Sequence, residues 1–368
     1  MNPSLLRYIG KRLLLMVPTL FGILLITFAI IQFVPGGPVE QMVQMLKGDH
    51  DSVGGAAGSV AMPGSAGGEV GQSSSVYRGN RGVDPQKLEE IKVLYGFDKP
   101  AHERFFIMIK GFLTFDLGNS FFHSRGVWEL MKDKLPVSIS LGIWTFLLTY
   151  LISLPLGIAK AVRHGSRFDL WTSTAILVGY AIPGFVLGVA LLVLFGGGSF
   201  LQLFPLRGLT SDDWENLSLI GKVLDYFWHL ILPVTCMTLG SFAVTTMLTK
   251  NTMLEEIRKQ YVLTARAKGL EERTVLWRHV FRNALIPIVT GFPAAFVGAF
   301  FTGSLLIETL FSLDGLGLLS YESVIKRDYP VVMGTLYFFA LIGLIAKLLN
   351  DLMYVWVDPR VQFEASKS

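Results

Sequence analysis

The chain has 368 residues, 51% of them hydrophobic and only 16% charged, where soluble domains carry about a quarter charged residues. With a mean hydropathy of +0.51, this balance argues against a globular cytosolic enzyme and names a bilayer as the solvent. The formal net charge of +4 reads as membrane topology rather than nucleic-acid binding, because in such a chain the placement of Lys and Arg matters more than their sum.

A hydrocarbon core of about 30 Å requires about 20 helical residues. Five stretches free of Asp, Glu, Lys and Arg satisfy this: Leu13 to Val34, Val137 to Ile158, Leu170 to Gly198, Leu230 to Thr249 and Ala284 to Ile307. A sixth runs from Pro330 to Val357 and is interrupted by Lys347 and Asp351, which stand four apart and are expected to pair on one helix face. The first stretch is too long for a signal peptide and lacks a small-residue cleavage site, so it reads as a retained helix.

Basic residues near helix ends stay on the cytoplasmic side. Arg7, Lys11 and Arg12 precede the first span, Lys160, Arg163 and Arg167 follow the second, and eight Lys and Arg lie between the fourth and fifth. Both termini are therefore predicted to be cytoplasmic, in agreement with six spans. The predicted organisation is a cytoplasmic start and first span over 1–34, an outer region over 35–136, a five-helix core over 137–357 and a cytoplasmic tail over 358–368. Within the core, 199–229 is the outer loop and 250–283 the inner one.

The outer region is not uniform. Residues 53–76 are Gly- and Ser-rich with few large apolar side chains, which predicts a mobile linker. Asp84 and Pro85 suit the start of a helix that Gly96 would stop. A second amphipathic helix is expected from Ala101 to Leu113, with Phe105, Phe106, Ile109 and Phe112 on its apolar side. Pro155, Gly157, Pro183, Gly184 and Gly188 interrupt otherwise smooth spans and mark candidate bends.

Signatures of catalysis are missing from the sequence. There is no GxxxxGK[ST] loop, no HExxH and no GxSxG, and the six histidines are scattered without ligand spacing. The lone Cys236 can form neither an intrachain disulfide nor a CxxC pair. Intramembrane charge, the mark of ion-coupled transport, is expected only at Lys347 and Asp351. A gradient-driven secondary transporter and an intramembrane enzyme are thus the weaker alternatives.

The informative segment separates the fourth and fifth spans. Tyr261, Val262, Ala265 and Gly269 fall at helical spacing, and Gly269 suits the position just past a helix C-terminus. Glu271 and Glu272 favour the start of a second helix. The small Ala265 and Gly269 would let another backbone approach, while Arg266, Lys268, Glu271 and Arg273 offer charged contacts around them. The pattern suits a docking knob for a soluble partner; a solvated basic loop is the plain alternative.

TARAKGL at Thr264 to Leu270, followed by RHVFRNALIP at Arg278 to Pro287, closely resembles the EAA loop of ATP-binding-cassette importer permeases, in their dipeptide, oligopeptide and nickel branch. Leu263 and Thr264 replace the Glu-Ala opening of the general pattern, and the gap from Gly269 to Pro287 is long, as is usual in this branch. Lys11 to Leu14, Phe115 to Phe121, Lys134 to Gly142, Ile307 to Gly317, Arg327 to Thr335 and Asp358 to Arg360 agree with it. The outer insertion, Tyr77 to Pro85 and Gly96 to Pro100 look most like a subgroup importing oligopeptides and peptide antibiotics of the microcin C kind.

The resemblance implies an all-α fold with six transmembrane helices, of the type I importer permease kind. It also implies a second permease subunit, separate ATPase subunits that hold the ATP and magnesium, a periplasmic peptide-binding protein, and no cofactor on this chain. Tyr261, Thr264, Ala265, Arg266, Ala267, Lys268, Gly269, Leu270, Glu271 and Arg273 match the helix that couples to the ATPase. His279, Arg282, Asn283 and Pro287 match the segment that returns the chain to the membrane.

Overall fold

The computed structural model describes residues 3–33, 97–196, 200–301 and 304–357. The predicted linker, the predicted helix from Asp84 and the tail from Asp358 lie outside these residues. Among the described residues the structure is helical, with two isolated β-bridges and no strand.

Apolar composition gives long helices. α1 spans Pro3–Phe33, α3 Val127–Val162, α6 Leu219–Ile257 and α12 Tyr329–Val357. The 36 residues of α3 and the 39 of α6 reach about 54 and 58 Å at 1.5 Å per residue, well beyond a core of about 30 Å. They therefore extend past the charge-free windows: α6 takes in Lys222 and Asp225 at one end and Lys250 and Glu255 at the other. Parts of 199–229 are thus helical, as are parts of 250–283, where the spacing predicts helices. Ser218 caps α6, its hydroxyl accepting from the Gly221 N–H at 3.1 Å.

Two predicted spans are broken. α4 (Arg167–Ala181) and α5 (Gly184–Phe195) meet at 92°. Ile182, held extended before Pro183 (φ −85, ψ 118), cannot continue the helix. The candidate bend at Pro183 is thus a full break. The fifth span divides into Glu272–Thr290, hereafter α8, and a helix from Phe292, inclined by 46°. α8 carries a π turn over Val275–Val280. α9 (Phe292–Phe301), α10 (Ser304–Leu310) and α11 (Leu316–Ile325) complete the path to α12. Four helices are long and apolar enough to cross a membrane, or six if each bent pair counts as one span.

The chain divides into two compact units. The smaller consists of Ile23–Trp128 and Ser323–Gly334. In it α2 (Ala101–Leu113) appears where amphipathicity places it, with Phe105 and Phe112 buried and Phe106 exposed. Here FDLGNSF meets RDYPVVMGT: Asp328, 1% exposed, accepts from the Ser120 hydroxyl at 2.5 Å and the Phe121 N–H at 3.1 Å.

The larger unit comprises Met1–Gly22, Glu129–Glu322 and Thr335–Ser368. One of its cores gathers Leu141, Leu230, Val234, Cys236, Ile307 and Phe311. In it KLPVSISLG meets IETLFSLDGLG: Lys134 pairs with Asp314, and the Leu316 N–H donates to Ser138 Oγ at 2.9 Å. Glu308, fully buried, accepts from the Leu318 N–H at 2.6 Å, placing a carboxylate at the N-terminus of α11.

Candidate functional site

The segment following α6 forms a short helix, α7 (Gln260–Ala267). Its end is set by Gly269, whose φ of +77 is the left-handed conformation that L side chains resist. The Gly269 N–H donates to the Arg266 carbonyl at 2.9 Å and the Leu270 N–H to the Ala265 carbonyl at 3.3 Å. These two bonds form a Schellman motif, which satisfies carbonyls left open at the helix end. The chain then enters α8 directly.

One face of this hairpin is buried. Val262 and Ala265 pack with Met253, Val275, Val280, Ala284 and Ala161 in a second core. This corrects the reading of Ala265 as a docking surface: it is 6% exposed, and its small side chain admits the chain's own helices. At Gly269 the surface is free, since an added Cβ would meet nothing within 4 Å.

Polar contacts hold the hairpin at its base. The Tyr261 hydroxyl donates to the Glu256 carboxylate at 2.6 Å, and it accepts from the Asn283 amide at 3.1 Å. Asn283 also donates to the His279 carbonyl at 3.2 Å. Burial, reinforced by the Glu256 carboxylate, pushes the Tyr261 phenol above its ordinary value, so it remains a donor at neutral pH. Arg266 makes a two-pronged contact with Glu272, at 3.0 and 2.6 Å, that ties α7 to α8.

The structure thus brings Tyr261, His279 and Asn283 together and places Arg266 in an internal ion pair. Thr264, Ala267, Lys268, Gly269, Leu270, Glu271 and Arg273 form an exposed edge, and Arg282 and Pro287 are also exposed. Glu256 had no sequence signal beyond standing five residues before Tyr261. Leu263 at 50% and Trp277 at 55% exposure add apolar area to the hairpin surface.

Asp351 meets Arg12 at 2.9 Å, while Lys347 is exposed. The expected pair with Lys347 is therefore corrected: the guanidinium of α1 takes the carboxylate. Lys160 is fully buried, hydrogen-bonded to Thr172 and Ser173 at 2.7 Å each and 3.1 Å from Asp169. Because these residues flank the charge-free windows, hydropathy alone assigns them to loops.

Residues 153–363 match the family described as binding-protein-dependent transport system inner membrane component. The chain is 55% identical over 358 residues to the peptidoglycan transport system permease protein YejB of Agrobacterium fabrum, covering 97% of this chain and 98% of that one. It belongs to this family of importer permeases. The inner membrane ABC transporter permease protein YejB of Escherichia coli O157:H7 is 53% identical over 97% of this chain and 99% of its own length. The di/tripeptide transport system permease protein DppB of Pseudomonas aeruginosa is 32% identical over 98% of this chain and all of its own. An inward-facing structure of the MetNI methionine ABC transporter is similar at a TM-score of 0.48 and 15% identity, over 63% of this chain and 97% of that one; the assignment rests on the sequence relatives.

The chain is thus a multi-pass inner membrane permease of the ATP-binding-cassette type, and this decides against a gradient-driven secondary transporter. Membership implies ATPase and substrate-binding partners.

Proposed function

We propose that this chain is one permease subunit of an importer that moves oligopeptides, including peptide antibiotics of the microcin C kind, from periplasm to cytoplasm. A second permease completes the pathway, and a periplasmic peptide-binding protein delivers substrate. Separate ATPase subunits hold ATP and magnesium and do all the hydrolysis; this chain binds no cofactor. Both termini are cytoplasmic, which puts the hairpin of α7 and α8 on the ATPase side. Peptide substrates are supported by the names of the relatives.

The observation that carries the coupling role is the hairpin itself. Its base is braced by Tyr261, Glu256 and Asn283, and its outer edge from Ala267 to Arg273 is exposed. A braced lever with a free tip transmits displacement instead of absorbing it. Closure of the ATPase pair would push the hairpin and rock the attached helices between inward-open and outward-open states.

The test is purification from detergent with the ATPase, second permease and binding protein, comparing wild type with K268E/R273E. The expected result is ATP-dependent peptide import by the wild-type assembly and loss of ATPase from the variant. Peptide uptake by this chain alone, driven by an ion gradient, would overturn the reading.

A further inference from the structure

The inner segment between α6 and the fifth span is rich in Lys and Arg, and the fold treats them unequally. Three are neutralised within the chain: Lys250 by Asp169, Lys259 by Glu256 and Arg266 by Glu272. Lys268 and Arg273 lie on the exposed tip of the hairpin, where the docking reading above uses them. Arg278 and Arg282 belong to neither group. They are exposed on α8, four residues apart and so on one side of the helix, and neither meets a carboxylate among the described residues.

Their level in the membrane follows from the helix rise. The charge-free run of the fifth span opens at Ala284, so at 1.5 Å per residue Arg282 stands about 3 Å and Arg278 about 9 Å outside the hydrocarbon. The headgroup layer is about 5–7 Å thick on each side, and a long arginine side chain reaches into it from either position. Trp277 and Phe281, also four apart, pack edge-on beside them with centroids 4.9 Å apart, and Trp277 is exposed. Trp is the side chain that membrane interfaces favour.

Burial of the other side of α8 holds this orientation. Val275, Val280 and Ala284 pack into the core beneath α7, and Asn283 is held by the Tyr261 hydroxyl and the His279 carbonyl. The arginine side therefore cannot turn inward to find an anion within the chain.

We infer that Arg278 and Arg282 bind the phosphate of an anionic phospholipid in the cytoplasmic leaflet, with Trp277 and Phe281 against its glycerol and upper acyl region. Guanidinium groups match phosphate oxygens in pairs, and the cytoplasmic leaflet is the negatively charged one. The choice of leaflet rests on the orientation proposed above. A lipid held here anchors the base of the hairpin at the membrane surface while its tip stays open to the ATPase.

The test uses the complete importer in phosphatidylethanolamine vesicles containing a trace of photoactivatable phosphatidylglycerol, with photoactivatable phosphatidylcholine as the zwitterionic control. Crosslinks to peptides covering 275–290 are expected to be several-fold more abundant with phosphatidylglycerol. For R278Q/R282Q they should fall by about thirtyfold, the effect of two charges removed from an anionic surface, while the ATPase still co-purifies and the melting temperature is unchanged. R278K/R282K, which keeps the charge, should retain most of the crosslink. Equal crosslinking by the two lipids, or a crosslink that R278Q/R282Q leaves intact, would overturn the site and make the arginines a solvated face. Loss of the ATPase from R278Q/R282Q with an unchanged lipid crosslink would assign them to docking instead, and suppression of the crosslink by inorganic phosphate would assign them to a soluble anion. The crosslink needs neither ATP nor peptide, so it fails separately from the importer reading. Labelling of Arg278→Cys in spheroplasts by a maleimide that cannot cross the membrane would overturn the orientation, and the inner-leaflet site with it.

Discussion

The ammonium group of Lys250 lies 2.6 and 2.8 Å from the two carboxylate oxygens of Asp169, which also faces the fully buried Lys160. One carboxylate therefore joins α3, α4 and α6, close in sequence to Ala161 and Met253 of the core beneath α7. Asp169→Ala would leave Lys160 buried with neutral partners only, at a cost of about 3–5 kcal/mol. Lys250→Met leaves the Lys160 contact in place and should cost about 1–3 kcal/mol. Thermal melts of the detergent-solubilised protein measure both, and equal midpoints for wild type and Asp169→Ala would disprove the clasp.

Gly269 separates two effects that are usually confounded. Its φ of +77 means that Ala costs about 1 kcal/mol through backbone strain, and Asn less. Gly269 is exposed and nothing lies within 4 Å of an added Cβ, so a side chain there starts into open space. Gly269→Trp should therefore insert into the membrane and melt near Gly269→Ala, yet fail to retain the ATPase on co-purification. Retention at the wild-type level would remove Gly269 from the docking surface.

What the sequence disclosed follows from how strongly each signal is tied to one structure. Long apolar runs specify helices because unpaired backbone groups are too costly in hydrocarbon, so α1, α3, α6 and α12 were legible. Gly269 was legible as a helix stop because few residues tolerate its conformation. Helix ends were not, since α6 starts at its Ser218 cap, well before its charge-free window begins. The inward turn of Ala265 was hidden because small side chains suit a self-packed face and a docking face equally well. The cluster of Lys160, Asp169 and Lys250 was hidden because its members come from three segments, and each alone resembles a loop charge.

Tyr261 is predicted to matter through its hydroxyl. Tyr261→Phe takes the 2.6 Å donor from Glu256, 9% exposed, leaving it paired with Lys259, and removes one of the two acceptors of Asn283, which keeps the His279 carbonyl. The expected cost is about 1–3 kcal/mol, localised to the hairpin, read as faster amide hydrogen exchange over 258–283. The phenol's pKa is raised by burial and by Glu256, so its contribution is present below about pH 10, the unfolded value, and fades as pH climbs through the higher folded one. The gap between wild type and Tyr261→Phe should accordingly close only at strongly alkaline pH. A gap already absent at pH 7 would refute the brace.

Gly315 and Gly343 should answer oppositely to alanine. An added Cβ at Gly315 would lie 2.5 Å from the Glu308 carboxyl carbon and 2.6 Å from one of its oxygens. That carboxylate cannot retreat without giving up its 2.6 Å bond to the Leu318 N–H, so Gly315→Ala must displace either the buried charge or the start of α11. A loss of about 3 kcal/mol or more follows, comparable to breaking a buried charged contact. Gly343 lies inside α12 with nothing within 4 Å of an added Cβ, and there alanine should stabilise by about 1 kcal/mol through helix propensity. Melting both variants alongside wild type checks the pair, and a neutral Gly315→Ala would show that Glu308 does not hold the turn into α11.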